Sequence, residues 1–142
     1  MAAAATRGSH DHDVDILKTP ASGLNRNFPH WFCGNFKQYD GAEDMLPVDQ
    51  HMLMALIAPR PLYVTNADTD LWADPRGSFL ALAHSSSVYG LWNHATISLE
   101  SMPGLNSPWV VCPRAYHIRS GEHNMTAQDW GYFTDFADTL WR

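Results

Sequence analysis

The sequence predicts an α/β domain of parallel strands flanked by helices, with an incomplete sheet, and three observations predict it. Leu62-Tyr-Val-Thr65 is a short apolar run with the character of a strand buried in a parallel sheet, and Ala115-Tyr-His-Ile-Arg119 reads as a second strand. Helical patterns precede, separate and follow these runs, and the order helix, strand, helix, strand, helix is that of βα units. The chain has 142 residues, of which 45% are hydrophobic and 12% aromatic, which describes one globular domain able to bury a core without disulfides or metal. Two strands do not make a free-standing sheet of this kind.

Residues 1–22 read as a disordered tail: four early alanines, the polar run Arg7 to Asp15 and Thr19-Pro-Ala-Ser-Gly23 sustain neither a 3.6 nor a 2 period. His10-Asp-His12 within it reads as solvated acidic chain rather than a metal site. The domain proper occupies residues 23–142. Phe28, Trp31, Phe32 and Phe36 place four aromatics in nine positions, so this segment must dock rather than float in solvent. Pro47-Val-Asp-Gln50 opens a helix with Leu53, Leu56 and Ile57 on one face, and Pro59-Arg-Pro61 ends it. After the first strand, Asp74 suits an N-cap and Pro75 the first helical position. A second helix follows through Phe79, Leu80, Leu82, Ala83, Val88, Tyr89 and Leu91. Residues 93–112 contain Pro103-Gly104 and Asn106-Ser-Pro108 and read as an irregular insertion. After the second strand, Thr126-Ala-Gln-Asp129 resembles a capping box with Asp where Glu or Gln is usual. It starts a last helix with Trp130, Phe133, Phe136, Ala137 and Leu140 on one face.

Composition excludes several classes of function. Nine basic against fifteen acidic residues give a net charge of −6, and the scattered Lys and Arg supply no patch for a nucleic-acid backbone. The longest apolar stretch, Met52 to Ala58, falls far short of the ~20 residues that cross a bilayer. Met1-Ala-Ala-Ala-Ala5 is too short and weakly hydrophobic for a signal peptide, so the sequence assigns no compartment. Cys33 and Cys112 are expected to be free and partly buried. His30, His51, His84, His94 and His117 show no metal spacing with a third ligand, so neither metal nor cofactor is implied.

Functional groups in open α/β sheets collect at the carboxyl ends of strands. The first strand is followed by Asp68-Thr-Asp-Leu-Trp-Ala-Asp74 and the second by Gly121-Glu-His123. An acid before a histidine on two such loops is the later half of the Ser, Asp, His order of α/β-hydrolases, in which the acid orients the imidazole and the histidine takes the nucleophile's proton. Asp70 is the candidate acid, since Asp74 is better explained as the helix cap and Asp68 as a turn former. Trp72 reads either as an apolar plug or as a stacking platform for a sugar ring.

Five segments carry a family resemblance. They are His30-Trp-Phe-Cys-Gly-Asn-Phe36, Leu46 to Val64, Asp70-Leu-Trp-Ala-Asp-Pro-Arg-Gly77, Tyr116-His-Ile-Arg119 and Gly121-Glu-His123. Together they resemble the C-terminal part of the glucuronoyl esterases, 4-O-methyl-glucuronoyl methylesterase-like carbohydrate esterases of α/β-hydrolase fold. The resemblance covers about residues 24–142, interrupted by the 93–112 insertion. It implies a metal-free serine hydrolase cleaving esters of glucuronic acid in lignin–carbohydrate complexes. It also implies His123 as the catalytic histidine, Asp70 as its acid and Trp72 as the tryptophan that packs on the uronic acid of glucuronoxylan. The chain departs from the family in having no Gly-Cys-Ser-Arg-x-Gly-Lys elbow: none of its ten serines lies in a strand-to-helix turn of that kind, and the accompanying oxyanion-hole arginine is missing with it. The expected chain is therefore an esterase fragment with acid and base but no nucleophile, whose first strands and serine come from a missing N-terminal half. The alternative is a non-catalytic carbohydrate-binding or interaction module.

Overall fold

A computed structural model of the chain describes residues 21–99 and 101–141. The tail expected over residues 1–22 lies outside the described residues except for its last two, which open helix α1 (Ala21–Asn27). This helix was not expected. The aromatic segment beyond it forms turns and a short 3₁₀ stretch at Phe36–Tyr39. Its rings settle on one another, Phe28 stacked on Trp31 at 4.1 Å and Phe32 on Phe36 at 4.5 Å.

Helix α2 (Gln50–Ala55) begins where Asp49 accepts the Gln50 amide. Its expected apolar face is not the one it buries: Leu53 and Leu56 are exposed, and Met54 packs against the core. Strand β1 (Leu62–Ala67) leads to α3 (Pro75–His84), capped by the Asp74 carboxylate, which accepts from the Gly77 amide at 2.9 Å. The single long helix expected here is broken at Ser85, whose hydroxyl donates back to the Leu82 carbonyl at 2.6 Å, and resumes as α4 (Ser86–Tyr89). Within the supposed irregular insertion lies strand β2 (Trp109–Val111), so the sheet has three described strands rather than two. Strand β3 (Arg114–Arg119) and α5 (Ala127–Trp141) complete the fold.

The strand order is β1-β3-β2, with β1 and β3 parallel and β2 antiparallel to β3. The register pairs Leu62 with Arg114 and Ala67 with Arg119, so the two parallel strands end level and the loops that follow them start side by side. Side chains alternate between faces as the pleat requires. Leu62 and Val64 join Phe79, Leu82, Ala83, Ile97, Tyr116 and Ile118 in the core beneath α3. Tyr63 and His117 face α5, where Phe133 and Phe136 meet the Tyr63 ring edge-on at 4.9 and 5.2 Å. Trp130, expected on the buried face of α5, is exposed.

The long connection before β2 is fastened at several points: the Ala95 carbonyl accepts from the Arg114 guanidinium, Met102 Sδ lies 3.7 Å from the Tyr116 hydroxyl, and Ile97 and Asn106 make the bonds that follow. The Ile97 amide donates to the Ser86 hydroxyl at 3.1 Å, a group that also receives the buried Arg114 guanidinium, which lies over the Tyr89 ring. Asn106 adopts a left-handed conformation (φ 56°). It donates its amide to the Ile118 carbonyl, accepts the Ser120 amide on its side chain and the Tyr132 hydroxyl on its carbonyl. Cys33 and Cys112 are free, as expected, but exposed rather than partly buried. No helix among the described residues is long and apolar enough to cross a membrane.

Candidate active site

The level strand ends bring Asp70 and His123 together across 53 residues of chain. Asp70 caps a 3₁₀ turn at Leu71–Ala73, with its amide on the Ala67 carbonyl. Its Oδ2 lies 2.6 Å from His123 Nδ1. A carboxylate is an acceptor only, so this contact places the ring proton on Nδ1 and leaves the Nε2 lone pair to receive a proton. The Asp70 side chain is 12% exposed and that of His123 82%, so the acid is held in the protein and the histidine is presented outward.

Asp68 stands in the turn expected of it, which the Asp70 amide closes on the Ala67 carbonyl, and its side chain also reaches the neighbouring loop. Its Oδ1 accepts the Gly121 amide at 2.8 Å, and the Thr69 hydroxyl donates to the Gly121 carbonyl at 2.6 Å, so the two loops are stitched together one turn behind the pair. Asp74 is the helix cap expected of it. Trp72 sits two residues beyond Asp70, half exposed, with the Phe28 ring edge-on at 6.3 Å and the exposed Trp31 stacked behind Phe28. The three rings form a continuous aromatic surface carried by the α1 region and the Asp70 loop.

Beneath the loops lies a buried polar network that sequence reasoning did not identify. Asp129 is 1% exposed and its carboxylate accepts four hydrogen bonds. His117 Nε2 donates to Oδ1 at 2.8 Å, while Oδ2 takes Arg119 Nε at 3.0 Å and the Thr126 amide and hydroxyl at 2.6 and 2.7 Å. Burial alone would raise this carboxyl, but the hydrogen bonds from Thr126 and His117 and the Arg119 charge outweigh it and hold it at about 2. Burial, helped by nearby Tyr132, Asp129 and Asp135, pushes the Tyr63 phenol up to about 12, and that hydroxyl lies 2.9 Å from His117 Nδ1. The available sequence signals were the Thr126-x-x-Asp129 cap and the arginine that ends β3.

None of these groups forms a metal centre: no cluster of three or more His, Cys, Asp or Glu among the described residues could hold an ion. The arrangement can orient a histidine and use it to move a proton. Ser78, the only serine in the loop-to-helix turn after Trp72, donates its hydroxyl to the Ala73 carbonyl inside that turn.

Parallel strands ending in loops that join an acid to a histidine define part of an α/β-hydrolase, and comparison with known proteins agrees. A family model described as fungal glucuronyl esterase matches residues 7–92, and the chain belongs to the glucuronoyl esterase family. It is 45% identical over 115 residues to a carbohydrate esterase from an unknown prokaryotic organism, covering 81% of this chain and 26% of that protein. It is 42% identical over 60 residues to the 4-O-methyl-glucuronoyl methylesterase of Schizophyllum commune, covering 42% of this chain and 15% of that one. The solved glucuronoyl esterase of Solibacter usitatus superposes with a TM-score of 0.78 at 45% identity, over 85% of this chain and 31% of that one. The chain thus spans about a quarter to a third of the length of the carbohydrate esterase and of the Solibacter enzyme.

Proposed function

We propose that this chain carries the acid–base half of a glucuronoyl esterase site, acting on esters of (4-O-methyl-)glucuronic acid in lignin–carbohydrate complexes. His123 Nε2 takes the proton from a serine hydroxyl that attacks the ester carbonyl, then delivers it to the departing alcohol. Asp70 holds the ring in the working tautomer and stabilises the imidazolium. Trp72 packs on the uronic acid ring. The serine and its oxyanion partners come from residues outside this sequence, which has no nucleophile elbow. The observation that carries the reading is the 2.6 Å contact between Asp70 and His123, on level strand ends in a chain of this family.

The test is to graft residues 24–142 in place of the matching segment of the Solibacter enzyme and measure hydrolysis of benzyl glucuronate, alongside the 142-residue chain alone. The graft is expected to be active and to lose about 10²- to 10⁴-fold with His123→Ala, whereas the chain alone turns nothing over. A folded but inactive graft, or hydrolysis by the chain alone that survives His123→Ala, refutes the reading. The continuous aromatic surface of Trp72, Phe28 and Trp31 supports a second reading, a carbohydrate-binding module without catalysis. Retention on glucuronoxylan that is lost in Trp72→Ala, together with an inactive graft, would select it.

A further inference from the structure

We propose that Arg119 is a positioning residue for the Asp70–His123 pair: from inside the protein, its guanidinium fixes the loop that presents His123. The proposal rests on the catalytic reading of that pair. Arg119 is the last residue of β3 and only 4% exposed. Nε is committed to Asp129, Nη1 donates to the Ser120 carbonyl at 3.1 Å, and Nη2 donates to the carbonyls of Glu122, at 2.8 Å, and Asn124. Those three carbonyls stand on both sides of His123 in sequence, so one rigid planar group sets the course of the loop through the histidine.

Two features show that the loop is shaped around this guanidinium. Gly121 has φ +112°, a conformation that side-chain-bearing residues rarely adopt, and a Cβ built there would lie 3.2 Å from Arg119 Nη1. The outer side of the same residue is bound to the Asp70 loop, its amide to Asp68 and its carbonyl to Thr69. Gly121 is therefore clamped between Arg119 within and the Asp70 loop without, and the spacing of Asp70 and His123 follows from that clamp. Asp129 aims the guanidinium and is itself held by Thr126 and His117. Arg119 spends its remaining donors on the loop that carries the histidine. A lysine, with one point charge on a flexible stem, cannot span Asp129 and all three carbonyls.

The test uses the ¹⁵N-labelled 142-residue chain, with the ring-nitrogen signals of His123 assigned by their loss in His123→Gln. At a pH where the ring is neutral, the wild type is expected to show mainly the Nδ1–H tautomer. In Arg119→Met the ratio of Nδ1–H to Nε2–H is expected to fall about fivefold, the equivalent of one ordinary hydrogen bond. Arg119→Lys is expected to fall between the two. Arg114→Met, which removes the buried arginine at the other end of the same strand, controls for general loosening and should leave the ratio unchanged. An unchanged ratio in Arg119→Met, or an equal change in Arg114→Met, overturns the proposal. If Arg119→Met does not fold, Arg119→Lys decides by the same criterion. A wild type without an Nδ1–H majority refutes the Asp70–His123 reading itself, a failure separate from that of the brace.

Discussion

Replacing Asp129 by Asn isolates the charge at the centre of the buried network. Three donors converge on Oδ2 and one on Oδ1, so the Asn oxygen takes the crowded side and its NH₂ faces His117 Nε2. The ring proton then moves to Nδ1, where the Tyr63 hydroxyl accepts it, and the contacts survive without the charge. The cost follows from proton affinity. Holding the carboxyl at about 2, against its usual 3.8, favours the charged form over the neutral one by about 2 kcal/mol, at about 1.36 kcal/mol per factor of ten. This is less than the about 3–5 kcal/mol for deleting one partner of a buried pair, because Asn retains the hydrogen bonds. With an m-value of about 2 kcal/mol/M, the urea midpoint should drop by about 1 M at pH 7. The sign of the pH dependence is fixed. A depressed carboxyl stabilises the fold above its unfolded value, and that contribution is lost as pH falls from about 4 towards 2. The wild-type and Asp129→Asn stabilities should therefore converge near pH 2. Urea unfolding followed by tryptophan fluorescence across pH 2–7 measures both. A difference under about 0.5 kcal/mol at pH 7, or one that persists undiminished at pH 2, refutes the assignment.

Two further outcomes are expected. Leu82→Ala, at a fully buried core position beneath β1 and β3, should destabilise by about 2–5 kcal/mol in the same urea assay while leaving the His123 tautomer ratio intact. At Asp74, a left-handed cap with φ 42°, Ala should cost about 1–2 kcal/mol in thermal unfolding, whereas Gly should cost only a few tenths because it adopts that backbone freely.

The elements nearest the site were the most legible. Both parallel strands, the Asp74 cap and the Asp70–His123 pairing follow from apolar runs, an Asp-Pro helix start and the acid-before-histidine order, all of which are local signals. What was missed depends on distant packing. Strand β2 has three residues and exists because β3 offers it an edge, and nothing within Trp109–Val111 announces that edge. The α2 face was misassigned because Leu53 and Leu56 fit a helical period, yet the core available to this helix meets Met54 instead. Arg119 in a strand ordinarily reads as a surface residue, and its burial depends on Asp129, ten positions on and in another element, together with the carbonyls of the loop that follows it. The unusual Asp in the capping box was the visible trace of that arrangement. The same carboxylate that closes the Thr126 cap also receives Arg119 and His117.

The last two fastenings of the long connection, at Met102 and Asn106, bear on how this fold tolerates change in length. Because both anchors grip the framework on their own, residues inserted between them lengthen a closed loop without pulling on either strand. Chain statistics set the entropic penalty at about 0.6 kcal/mol for each doubling of such a loop. The segment between Met102 and Asn106 is therefore where this chain can accept extra sequence, such as a peptide tag or a small guest domain, while the loops bearing Asp70 and His123 stay in register. The same insertion after Asn106 would lie between that anchor and β2, and would have to be absorbed by the sheet.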